Sequence, residues 1–362
     1  MMDTKNIVQF REQLIQWYIK NHRQLPWRET DNPYHIWVSE VMLQQTRVKI
    51  VLLYYQKFLE RFPDLRRLAH ADLQSVLKIW QGMGYYARAR NLHEAAKLAL
   101  EKYNGNIPDN WDRLRELPGV GEYIAAAVLS FAFNQPYYVV EGNVKRVLAR
   151  LFEIDAPVNR SFSLKIFREA AGKLFDSYQP GVFNQAIMEL GAVICSPRNP
   201  ECGICPVQSL CLSHQDQKVV DYPTRLPNKI IPEYHMAIGV IFKNNRILIG
   251  RRKKEGLLGG LWEFPGGKLK EKEDSRQACV REIKEAVNLT VEIHSFATRI
   301  KHAYTHFKII MDVFWCKYLS GEIKLNGSAD RFCWTTLKEI ERYPFSIANY
   351  KIVRLLKRMA VS

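Results

Sequence analysis

Hydrophobic and polar positions along this chain follow a helical period first and a strand-like one later. From Pro33 onward, Ile36, Trp37, Val41 and Met42 recur at helical spacing. The segment LPWRETDNPYHIWVSEVMLQQTRV (25–48) therefore predicts a helix that starts at the proline and carries an apolar face. Glu40 lies on that helix among apolar neighbours, a setting that raises a carboxyl pKa toward neutrality. Further on, a polar helical stretch (109–116) runs into LPGVGEY (117–123), and an apolar run follows from Ile124 to Phe133. One glycine suffices to turn the chain between two helices. The second, Gly121 after Gly119, leaves two readings open: an ordinary tight turn, or backbone amides presented to a phosphate at a helix start. Beyond residue 215 the pattern changes. DYPTRLPNKIIPEY (221–234) holds three prolines and reads as a linker, placed at 216–232. Strand-like runs follow at 236–242, 246–250 and 308–319.

Length and charge sharpen this picture. The 362 residues suggest two domains, or three, with enough chain for real cores. Apolar runs such as 123–133 are too short to span a bilayer, and MMDTKNIVQF lacks a signal peptide's basic start and apolar core. A cytoplasmic protein, associated with the nucleoid in a bacterium and with no membrane partner, is the expectation. The 53 Lys and Arg against 37 Asp and Glu give a net charge of +16, which favours a nucleic-acid partner over a merely basic enzyme.

Four of the seven cysteines crowd into CSPRNPECGICPVQSLC: Cys195, Cys202, Cys205 and Cys211, with gaps of six, two and five residues. Structural zinc usually takes two tight pairs, and only one is present here. Four thiolates in so compact a run favour an iron–sulfur cube over zinc. The scattered Cys279, Cys316 and Cys333 read as buried small hydrophobes.

C-x6-C-x2-C-x5-C after a helix–hairpin–helix resembles the endonuclease III superfamily of DNA base-excision glycosylases. The resemblance implies a 4Fe–4S cofactor that shapes a basic loop around Arg198, and a hairpin (Gly119, Gly121) that holds a DNA phosphate. Where the superfamily's lyases carry a lysine, this chain has Tyr123, and a phenol cannot form an imine. Residues 25–48 are similar to MutY-type adenine DNA glycosylases almost throughout. By that resemblance Glu40 is the acid that protonates adenine and then helps to activate water. Gln45 and Thr46 enter the duplex, and Tyr85 in GMGYYARARNLH, with Met83 and Gly84, wedges into the stack. Leu25, Trp27 and Arg28 line the pocket for the flipped base, Gln185 reads an adenine edge, and Asn143 orients water or the second carboxylate. That carboxylate is an aspartate in the family but Glu141 here, in VVEGNVKRVLAR. One methylene longer, it must fold back or crowd the sugar.

The segment 260–289 resembles a Nudix box: Gly267, Glu273, Arg281, Glu282 and Glu285 are present, while Ala286 and Asn288 replace a carboxylate and a glycine. In MutY-type enzymes such a domain reads 8-oxoguanine, with HAYTHF supplying Tyr304, Thr305 and His306. The expected fold is thus a mainly α glycosylase module (residues 1–215; a six-helix barrel with helix–hairpin–helix, plus an iron–sulfur cluster domain) joined to an α+β Nudix-like domain (233–362). The expected activity is that of a monomeric, monofunctional glycosylase. The expected substrate is adenine opposite 8-oxoguanine in double-stranded DNA, with adenine opposite guanine as a further candidate. Three alternatives remain beside it: a lesion-binding protein slowed by Glu141, a pyrimidine glycosylase/lyase, and a Nudix hydrolase.

Overall fold

The computed structural model describes residues 2–227, 230–325 and 327–360; Asn228 and Lys229 of the expected linker lie outside the described residues. The described residues form two compact units, one drawn from Met1–Val51, Phe62–Ala69 and Glu94–Asn228, the other from Leu52–Arg61, His70–His93 and Lys229–Ser362. The second unit therefore includes two stretches from within the expected N-terminal module.

Twelve helices precede the first strand among the described residues. They are α1 (Thr4–Asn21), α2 (Pro33–Leu43), α3 (Val48–Arg61), α4 (Leu65–His70), α5 (Leu73–Ile79) and α6 (Ala87–Lys102). Then come α7 (Trp111–Arg115), α8 (Glu122–Phe133), α9 (Gly142–Phe152), α10 (Leu164–Leu174), α11 (Pro180–Val193) and the short α12 (Leu212–Gln215). Local chemistry sets the boundaries that matter. Asn32 caps α2, accepting from the amides of Tyr34 and His35, with Pro33 in the first helical position as expected. Helices α8 and α9 each stop on a left-handed residue, Asn134 and Glu153. The first unit's core joins Phe10 and Leu14 of α1, Val144 and Leu148 of α9, Phe167 of α10, and Phe183 and Ile187 of α11. Part of the proline-rich stretch belongs to it. Tyr222 is buried in this core, its carbonyl accepts from Arg150, and the Thr224 hydroxyl donates to the Asp155 carbonyl.

The second unit is built on a mixed seven-stranded sheet among its described residues. Its strands are β1 (Glu233–Lys243), β2 (Arg246–Arg252), β3 (Trp262–Glu263), β4 (Gly266–Lys268), β5 (Thr290–Ala303), β6 (Lys308–Ser320) and β7 (Ala329–Thr335). The order is β3-β2-β1-β6-β5, with β1 parallel to β6, β4 on β1 and β7 on β2. Helix α13 (Ser275–Val287) buries Cys279 and Ile283 against one face, and α14 (Ile347–Met359) buries Ile352 and Val353 against the other. The α+β expectation holds here. Cys279 and Cys316 are buried as expected, whereas Cys333 is half-buried, its thiol beside the Tyr343 hydroxyl. Within this unit, residues 70–93 bond to the C-terminal segment. Gln74 accepts from the Trp262 indole at 2.7 Å and donates to the Gly260 carbonyl at 2.9 Å, and Arg90 donates to the Gly259 carbonyl at 2.9 Å. The Nudix-box carboxylates converge on Arg281, whose guanidinium donates to Glu273, Glu282 and Glu285 at 2.7, 2.7 and 3.1 Å.

Candidate active site and nucleic-acid interface

Helix α2 packs on α8, so a side chain at the start of α8 faces the middle of α2. That contact places the Tyr123 hydroxyl 2.6 Å from Glu40 Oε2, to which it donates. Glu40 is only 3% exposed. Burial pushes its pKa up, the Tyr123 hydrogen bond pulls it down, and nearby Glu141 pushes it up again; the balance is about 7. A carboxyl at that value holds a proton for much of the time at neutral pH. Tyr123 is driven well above its usual range, first by burial and then by the two carboxylates, so it stays a neutral donor.

Glu141 is the N-cap of α9. Its Oε1 accepts from the amides of Asn143 and Val144 at 2.8 and 2.9 Å. The longer side chain has therefore folded back onto its own helix start. Burial raises its pKa, opposed by the two amides and by Arg146. Asn143 is fixed in turn, its Oδ1 accepting from Arg146 at 2.8 Å. Arg146 also reaches the carbonyls of Gly191 and Cys195, at 2.6 and 2.8 Å, and so joins this helix start to the first cysteine of the cluster segment. Gly191 explains how α11 comes so close: a Cβ there would lie 2.7 Å from the Asn143 Cβ and 3.1 Å from its carbonyl oxygen.

A cavity of about 520 Å³ gathers these groups. Glu40, Glu141, Tyr123 and Asn143 line it, together with the expected Leu25, Trp27, Arg28, Thr46 and Gln185. Arg23 and Glu189 are among the lining residues that escaped the sequence reading. Glu189 is fully buried and accepts from Arg23 Nε and Nη2 at 2.8 and 2.6 Å and from Arg28 Nη2 at 2.7 Å. Burial opposes its charge, but these hydrogen bonds prevail and hold its pKa at about 2. The signal lay in the spacing Arg23…Arg28 against one acidic residue in FNQAIMEL, which only the packing of α1 on α11 makes visible. Gln185, on the same helix, accepts from the Tyr18 hydroxyl at 2.9 Å.

Gln45 is exposed and outside the cavity lining, in a left-handed conformation (φ 56°). In the hairpin, Gly119 takes the left-handed turn (φ 79°), while Gly121 caps α8 with no side-chain hydrogen bond. A Cβ on Gly121 would meet nothing nearer than Arg115 at 3.9 Å, so the space beside this residue is open on its side-chain side.

In the second unit, Met83 is buried, Gly84 is left-handed (φ 81°), and Tyr85 is 39% exposed and left-handed as well (φ 49°). The turn between β5 and β6 carries Tyr304, half-buried and stacked on Phe307, with Thr305 and His306 exposed. The Tyr85 hydroxyl hydrogen-bonds the Thr305 hydroxyl. The expected wedge and the expected lesion-reading loop thus meet within one unit.

All four clustered cysteines line one small cavity walled by Val147, Leu151, Leu190 and Ile194. Arg150 Nη1 lies 3.3 Å from Cys195 Sγ. Burial pushes the Cys205 thiol up to about 12, so holding it as a thiolate calls for the positive charge of bound iron. Among the described residues no three His, Cys, Asp or Glu side chains converge on a single-ion position; the four thiols surround a shared space instead.

Comparison with known proteins decides the family. Residues 38–168 match the HhH-GPD superfamily of base excision DNA repair proteins, 195–211 the iron–sulfur binding domain of endonuclease III, and 237–355 the NUDIX domain. The chain is 33% identical to an adenine DNA glycosylase of Rattus norvegicus, over 98% of this chain and 79% of the relative. It is 32% identical to one from Buchnera aphidicola, over 96% and 97%. The chain belongs to the adenine DNA glycosylase family.

It is accordingly a DNA glycosylase of base excision repair with a 4Fe–4S cluster, and the matched iron–sulfur segment 195–211 contains Cys195, Cys202, Cys205 and Cys211. That cluster, when bound, would tie the segment 195–211 together at its four cysteines. Among solved structures, a thermostable thymine-DNA glycosylase aligns with a TM-score of 0.54 at 30% identity, covering 59% of this chain and 98% of that one. A non-covalent endonuclease III–DNA complex aligns at 0.52 with 23% identity, covering 60% and 99%, which supports the fold of the helical module. No helix among the described residues is long and apolar enough to cross a membrane.

Proposed function

We propose that this glycosylase flips adenine from a pair with 8-oxoguanine and hydrolyses its N-glycosidic bond without cutting the strand, acting as a monomer. The observation that carries this reading is the Tyr123–Glu40 hydrogen bond in the lining of the cavity. It puts a phenol where a lyase needs an amine, beside a carboxyl whose pKa is about 7.

In this reading Glu40 gives its proton to an adenine ring nitrogen. The C1′–N9 bond breaks, its electron pair leaves with the base, and the sugar becomes an oxocarbenium ion faced by the Glu141 carboxylate. Glu40, now a carboxylate, takes a proton from water as the water oxygen bonds to C1′. Tyr123 donates to Glu40 throughout and steadies the carboxylate form. Arg28 and Gln185, which line the same cavity, are assigned to hydrogen-bonding the edge of the flipped base, and Glu189 accepts a hydrogen bond from Arg28.

Preference for 8-oxoguanine is assigned to Thr305 and His306, exposed on the β5–β6 turn beside Tyr85. The test is the Thr305→Ala, His306→Ala double variant on duplexes holding 8-oxoguanine:adenine or guanine:adenine. Its single-turnover preference for the first should fall by roughly tenfold or more, as expected when a hydrogen-bonded pair of contacts is lost. An unchanged preference would move lesion reading elsewhere.

A further inference from the structure

The wedge Tyr85 sits in a backbone conformation that a tyrosine does not choose. Gly84 and Tyr85 are consecutive left-handed residues, at φ 81° and 49°. For a residue with a Cβ that conformation is costly, and it persists only where the surroundings determine it. The determining group is Arg88, one turn away at the start of α6. Its guanidinium carbon lies 5.3 Å from the Tyr85 ring centroid and 5.5 Å from that of Trp80. Its Nη2 donates to the Gly84 carbonyl at 3.2 Å, and the Trp80 indole donates to the same carbonyl at 3.0 Å. The Arg88 amide closes the loop by donating to the Tyr85 carbonyl at 2.9 Å.

This is an expensive place for a cation. Arg88 occupies the first turn of a helix, where the dipole repels positive charge, and burial brings its pKa down to about 10. The contacts to the Tyr85 face and the Gly84 carbonyl offset that cost. The other end of the ring is tied too, through the hydroxyl bond to Thr305. Tyr85 is therefore set at its face, its backbone and its tip before any DNA arrives.

We infer that Arg88 is the positioning residue of the wedge: it holds the Tyr85 ring ready to enter the base stack, and so governs the rate at which adenine is extruded rather than the bond-breaking step. The inference rests on the reading of Tyr85 as the wedge. Binding and insertion then require little reordering of the loop, which is where preorganisation raises a rate.

The experiment uses the full-length, cluster-loaded protein and a duplex with 2-aminopurine next to an 8-oxoguanine:adenine pair. Stopped-flow fluorescence reads unstacking, and single-turnover kinetics reads base removal. Arg88→Met, neutral and of similar reach, should slow unstacking by roughly tenfold, the scale of a desolvated cation–π contact. Base removal should slow in parallel, while the pH midpoint of the rate, which belongs to Glu40, should not move. Tyr85→Ala should slow unstacking at least as much, and the double variant should be no slower than Tyr85→Ala alone. If Arg88→Met also lowers the melting temperature, Arg88→Lys serves in its place. It keeps the charge but not the planar stack, and should reproduce the unstacking defect. Parent-like unstacking in the Arg88 variants, with Tyr85→Ala slow, overturns the inference and leaves the wedge intact. Additive losses in the double variant overturn it as well, since Arg88 would then act elsewhere. Parent-like unstacking in Tyr85→Ala instead removes the wedge reading itself.

Discussion

At the scale of single residues, the proposed active site holds two acids in different electrostatic settings. Glu40 is buried with one hydrogen bond, from a neutral phenol, and its pKa is about 7 against an ordinary 4.5. Between those values the folded protein keeps a proton that the unfolded chain has already lost. Stability therefore falls as pH rises through that window, by an amount on the order of 3 kcal/mol, and levels off above it. Glu40→Gln keeps an acceptor for Tyr123 without the charge. Its melting temperature should match the parent near pH 5 and exceed it by several degrees at pH 8, as read by calorimetry; a constant difference across pH would mean that Glu40 is not held near neutrality. Glu141 spends one oxygen on two helix-start amides, which an aspartate also does well as an N-cap. Glu141→Asp should keep α9 capped and draw the carboxylate back by one methylene. We expect the single-turnover rate to rise by about tenfold. A neutral result would mean that the folded-back glutamate already faces the sugar as well as the shorter side chain.

At the scale of elements, the site depends on how closely α11 approaches the start of α9. Gly191 makes that approach possible, since a Cβ there would press on Asn143 backbone as well as its side chain. Gly191→Ala should shift Asn143 and Glu141 together, at a stability cost of roughly 1–3 kcal/mol. Base removal should slow by ten- to a hundredfold with DNA affinity nearly unchanged. The comparison of single-turnover rate with binding checks this, and a parallel loss of both would point to general unfolding. The sequence could not show this contact. The start of α2 was legible because Pro33 and the apolar spacing after it are local signals, and Glu40 because its motif places it. Gly191 and Glu189 act across more than forty residues, through helix packing that no local period announces. Arg146, whose fork joins Asn143 to the Cys195 carbonyl, was hidden for the same reason.

At the scale of the whole molecule, the composition already pointed to nucleic acid, and the cysteine spacing to an iron–sulfur segment. The strands at β1, β2 and β6 were readable as apolar runs, whereas β5 buries only Val291 and Ile300 among exposed and half-buried positions and was missed. The placement of residues 70–93 with the C-terminal segment was equally invisible, because Gln74 and Arg90 read as ordinary helix-surface residues until their partners at 259–262 are known. The central claim is that this chain removes adenine by hydrolysis and stops there. It is tested most directly on a duplex with one 8-oxoguanine:adenine pair, under single-turnover conditions, by counting strand breaks with and without alkali. The account predicts full-length strands until alkali is added, then cleavage at the adenine site, and no cleavage in either case with Glu40→Gln. Breaks that appear without alkali, or alkali-labile sites made by Glu40→Gln at the parent's rate, would contradict it.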